Sequence, residues 1–88
     1  MTVPRQPLPH LVTTVLAAMR AGRPVGGLLD AQRDEHVATM RDLTRVRRTA
    51  SAEDRLVLDY EIFRIEADLR WIDHAAARLG PPDPEITL

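Results

Sequence analysis

Residues 56–79 read LVLDYEIFRIEADLRWIDHAAARL, and at helical spacing this stretch carries two apolar stripes. Leu58, Ile62, Ile65, Leu69, Ile72, Ala76 and Leu79 recur at alternating steps of four and three residues. Leu56, Tyr60, Phe63, Ala67, Trp71 and His74 form a second, wider stripe that holds all the aromatic residues of the chain. One stripe is enough for a surface helix to face its own core. Two stripes call for two neighbours, and 88 residues supply few elements. The pattern therefore predicts that a second copy, or a related chain, covers one of them.

The rest of the chain supplies two more helices. Residues 1–8 include Pro4 and Pro7, lack periodicity and read as a proline-rich arm. Pro9 suits the first turn of a helix over about 9–21. Leu8, Leu11, Val12, Val15, Leu16 and Met19 share its apolar face. Gly22 ends it, and Arg23–Pro24 blocks continuation. A second helix is expected from Val25–Leu28 to about Thr49. Its apolar line is thinner: Leu28 and Leu29, then His36, Met40 and Leu43, flanked by Val37 and Val46. Asp30, Asp34 and Glu35 come early and Arg41, Arg45, Arg47 and Arg48 late, which suits the helix macrodipole.

The break at Thr49–Ser51 is short, and Ser51 with Asp54 has the spacing of a helix cap. So short a link folds the second and third helices into an antiparallel hairpin. The third helix is expected over about 52–79, closed by Gly80, Pro81, Pro82 and Pro84. Residues 81–88 then read as a loose tail, and 9–80 as the domain. The predicted fold is all-α: a short N-terminal helix on a long antiparallel hairpin, assembled as a two-fold dimer. A two-fold interface is self-complementary, so one stripe meets its own copy while the other packs inside the chain. The pattern alone does not say which. The evenly stepped residues Leu58, Ile62, Ile65, Leu69, Ile72 and Leu79 are the candidate dimer interface.

Composition narrows the chemistry. Cysteine is absent, which excludes disulfides and thiolate metal sites. A domain this small buries only about 60% of its unfolded surface, and oligomerisation is the common remedy. Net charge is −1, giving no general drive toward nucleic acid or anionic membrane. All 12 basic residues are Arg, so lysine-based Schiff-base or general-base chemistry is excluded. No apolar run reaches the roughly 20 residues of a membrane span. A soluble, cytoplasmic protein is expected.

Trp71, Tyr60 and Phe63 on one helix face are candidates for an aromatic wall against a hydrophobic small molecule, although packing alone explains them. Gln32, His36 and Met40 on the second helix complete the candidate ligand-binding set. His36 reads better as a satisfied interface histidine. No metal site is expected, since there is no H-E-x-x-H, no Glu-x-x-His pair and no Cys. No cofactor is expected, and no catalytic Ser/His/acid arrangement stands out. Asp59, Glu61, Glu66 and Asp68 are candidate partners for the arginines of the second helix. Glu66 and Arg70 are spaced for an i,i+4 pair.

The order of a helix, a Leu28–Leu29…Arg33 helix, a short break and a long helix with Tyr60 and Glu66–Ile72 (EADLRWI) resembles the C-terminal domain of PadR-type transcriptional regulators. The resemblance covers about residues 8–80. It implies the dimerising and effector-sensing half of such a regulator, with nothing corresponding to its winged-helix DNA-binding half. The expected partners are then a second copy or a PadR-type regulator, which the chain would modulate by forming mixed dimers. Direct nucleic-acid binding is not expected. The alternative expectation is a stand-alone helical dimer that binds or transforms an aromatic small molecule in an inter-subunit cavity.

Overall fold

The computed structural model describes residues 9–79. They form α1 (His10–Arg20), α2 (Gly26–Arg47) and α3 (Ala52–Leu79), with no strand among the described residues. The expected arm at 1–8, the Gly80 stop and the tail at 81–88 lie outside the described residues.

Each helix end has a local cause. After α1, Gly22 adopts φ 71°, the left-handed conformation that L side chains resist. There the Gly22 N–H donates to the Met19 carbonyl at 3.1 Å and the Arg23 N–H to Ala18 at 2.9 Å, closing the helix. At the start of α3, the Asp54 N–H donates to Ser51 Oγ at 3.2 Å. Glu53 and Asp54 in the first turn and Arg78 in the last match the α3 dipole. The second helix stops at Arg47, two residues before the sequence expectation.

The helix α1 buries Leu11, Val15 and Ala18. This corrects the expected face, because Met19 is 44% exposed and Ala18 sits inside instead. A bare methyl group at position 18 lets the end of α1 share one buried cluster with Val25 and Leu29. From α3 the cluster receives Ile72 and Ala75, with Leu28, Leu69, Trp71, Ala76 and Leu79 packed around it. Val15, Leu29 and Ile72, one from each helix, are at most 1% exposed.

The helices α2 and α3 are joined by polar contacts as well. Arg33 pairs with Asp73, His36 with Asp68, and Arg47 with Asp59. Partners on α3 thus fall in number as those on α2 rise. Between these contacts Met40, Leu43, Leu58 and Ile62 are only half-buried. Water is excluded at one end of the pair, beneath α1. Toward the 48–51 turn, Val46, Leu56 and Val57 are all more than half exposed.

The radius of gyration is 16.2 Å, against about 11–12 Å for a compact chain of this size. The dimensions are 54 × 35 × 17 Å. The thin axis leaves room for little beyond a pair of helices, each about 10 Å across with its side chains.

Truncating the buried cluster should therefore be costly. Leu29→Ala or Ile72→Ala is expected to lower unfolding free energy by about 2–5 kcal/mol in urea titrations. Val46→Ala, at a side chain 53% exposed, should shift it by no more than about 0.5 kcal/mol.

Candidate functional site

The two stripes of α3 take different places. Of the evenly stepped stripe, Ile65 and Ile72 are buried within the chain, and Leu58, Ile62, Leu69, Ala76 and Leu79 are half-buried. These residues, the candidate dimer interface, thus lie on the side of α3 that packs inside the chain. Phe63 lies about two and a half turns from Ile72, so it points the opposite way. It is 67% exposed, Tyr60 62% and Leu56 73%. Ala67 and His74 continue the same open line, and Trp71 lies at its edge, half-buried against the core cluster. The surface open to a partner is the outer, aromatic stripe.

The six candidate ligand-binding residues are divided among several surfaces. Gln32 and His36 are together: the His36 ring donates from Nδ1 to the Gln32 carbonyl oxygen at 2.7 Å. On its other side, Nε2 lies 3.2 Å from Asp68 Oδ2. Both ring nitrogens are thus occupied by the chain itself. A recess of about 270 Å³ beside His36 is lined by Glu35, Thr39, Glu61, Arg64, Ile65 and Asp68, without an aromatic residue. Met40 belongs to a different groove, about 440 Å³, with Val37, Thr44 and the arginines 41, 45 and 48. Tyr60 and Phe63 line neither. The structure brings Gln32 to His36, and does not bring either to the aromatic stripe.

The arginines of α2 also separate. Arg47 donates from Nε to Asp59. That hydrogen bond first, and the opposite charge second, raise the Arg47 pKa above its ordinary value. Arg45 pairs with Asp42 on its own helix. The expected Glu66–Arg70 pair does not form among the described residues; Arg64 and Glu61 make the i,i+3 contact instead. Asp73, the partner of Arg33, was not singled out from sequence. Its signal was an acid on α3 at the height of a cation on α2, visible only once the direction of the helix pair is known. No group of three or more His, Cys, Asp or Glu suited to a metal occurs among the described residues. No described helix is long and apolar enough to cross a membrane.

What this geometry defines is a small helical module with a packed end and an open aromatic flank. Residues 11–80 match the family described as Virulence activator alpha C-term, and the chain belongs to that family. No curated protein and no solved structure matches. The match corrects the resemblance to PadR-type regulators, and with it the reading as an effector-sensing PadR module that forms mixed dimers with such a regulator. The alternative of a stand-alone binder or converter of small molecules is set aside on the same finding. The structure shows why the resembling residues misled. Leu28, Leu29, Trp71 and Ile72 serve the core cluster and Arg33 an ion pair, roles common to many helix pairs. Ala67 and Tyr60, in contrast, are exposed.

The ion pairs between α2 and α3 are partly solvated, so each should contribute little alone. Asp73→Asn is expected to cost under about 1 kcal/mol. In 1 M salt most of that difference should vanish in the same urea titration, because surface charges are screened.

Proposed function

We propose that this chain is an assembly module: the part of a virulence-activator-type protein that joins two copies. In this reading α2 and α3 form an antiparallel hairpin, and two hairpins pair about a two-fold axis through the outer stripe of α3. The exposure of Leu56, Tyr60 and Phe63 along one line of one helix carries the reading. Scattered surface leucines need no explanation, but an aligned aromatic row marks an interaction site. The thin, extended shape supports it, since a lone chain leaves its distal half without a second layer.

The stripe is also complementary to itself. Glu53 stands at its N-terminal end, and Arg70, His74 and Arg78 at its C-terminal end. Two copies running in opposite directions bring Glu53 to the partner's Arg78 and Leu56 to the partner's His74. Phe63 then meets the partner's Ala67, a large side chain over a small one, as in knobs-into-holes packing. Tyr60 meets the partner's Trp71. The aromatic residues act here as packing anchors, which are frequent at the centres of interfaces.

Phe63→Glu tests the reading. It places a charge at the middle of the stripe and leaves the buried cluster untouched. Sedimentation equilibrium should give a dimer for the parent chain and a dimer at least about tenfold weaker for the variant, both with the same helical circular dichroism. A monomeric parent chain at high micromolar concentration, or a variant whose dimer is as tight as the parent's, contradicts the proposal.

A further inference from the structure

The inner faces of α2 and α3 share one helical phase, as though the break between them were absent. Leu29 and Ile65 stand about ten turns apart, Met40 and Leu58 about five, and Leu43 and Leu79 about ten. An arbitrary link between two helices has no reason to preserve phase. Here the line Leu29, His36, Met40, Leu43, Arg47 continues through Ala50 and Asp54 to Leu58, Ile65, Leu69, Ile72 and Leu79 at steps near seven residues for every two turns.

The break itself is lightly enforced. Arg48, Thr49, Ala50 and Ser51 include no Gly and no Pro. Arg48 still has helical angles, φ −61° and ψ −32°. Of the described residues only Gly22 has a positive φ, so the turn at 48–51 uses none. By contrast, α1 ends on a left-handed glycine followed closely by Pro24. What marks the start of α3 is the hydrogen bond from the Asp54 N–H to Ser51 Oγ.

We propose that α2 and α3 can straighten through 48–51 into one continuous helix, and that a second copy of this chain then supplies the missing inner contacts. Two such rods lie antiparallel and exchange α3. The Arg33–Asp73, His36–Asp68 and Arg47–Asp59 contacts re-form between chains, and α1 lies against its own α2 and the partner's α3. Domain exchange of this kind reuses the contacts of the closed form and adds only those between the two link segments, provided the link tolerates both conformations. Asp54 becomes the one acidic residue of a continuous stripe, with Arg47 and Arg55 within two turns. The inference goes beyond pairing through the outer stripe and does not depend on it.

The chain has no cysteine, so two spin labels can be placed cleanly at the exposed Ala31 and Ala77. The pair Ala31→Cys and Ala77→Cys, refolded at high concentration among excess unlabelled chain, reports distances within one chain. The closed form gives roughly 10–20 Å, the spacing of packed helices plus label linkers. The straightened form gives about 69 Å at 1.5 Å per residue. Both distances are expected, and Ser51→Ala should raise the ratio of long to short about fivefold, the factor that loss of an N-cap typically carries. Two glycines inserted after Thr49 should abolish it. Circular dichroism confirms that each variant folds. A single short distance in the parent and in Ser51→Ala overturns the proposal. A dimeric mass with only the short distance leaves the outer-stripe pairing standing and removes the exchange.

Discussion

Val15, Leu29 and Ile72 come from three different helices and meet where the chain excludes water most completely. Their burial fixes how α1 lies across α2 and α3, and it fixes which way α3 is rotated. Once Ile72 points inward, the helical repeat sends Phe63 outward. The exposed aromatic stripe is therefore a consequence of the core. No rotation of α3 buries both stripes against the two helices available.

The distribution of burial along the helix pair follows from the length of α1. With 11 residues, His10–Arg20, it spans about 16 Å and reaches only one end. Beneath it lie Leu29, Ile72 and Ala75; beyond it Val46, Leu56 and Val57 face solvent. Over the remaining length α2 and α3 are held by the half-buried Met40, Leu43, Leu58 and Ile62, and the partly solvated His36–Asp68 and Arg47–Asp59 contacts add little stability. With no second layer over its outer face among the described residues, α3 leaves Leu56, Tyr60 and Phe63 open to a second molecule, which is the physical basis of the assembly proposed for it.

Much of this architecture was legible in the sequence. Gly22 and the Ser51–Asp54 pair marked helix ends through local chemistry, and both act as expected. The three helices appear within a residue or two of the predicted bounds. Less legible was anything set by tertiary placement. Both stripes of α3 are rich in apolar residues, and only its packing against α2 and α1 decides between them. Ala18 displaced Met19 because closeness of approach, not hydrophobicity, governs that contact. The dispersal of Gln32, His36, Met40, Tyr60, Phe63 and Trp71 has the same cause: helical spacing orders residues along one element but does not aim two elements at a common point. The PadR-type resemblance failed differently. Its motif consisted mostly of packing residues, and packing residues recur wherever two helices meet.

The central claim is that the cluster under α1 is complete within one chain, while the outer stripe of α3 is covered by a second copy. Backbone amide exchange measured across a dilution series tests this directly. Protection of residues 56–67 of α3 should fall as the chain is diluted, in step with loss of dimer mass, while protection around Val15 and Leu29 persists. Protection of both regions that is independent of concentration would contradict the account.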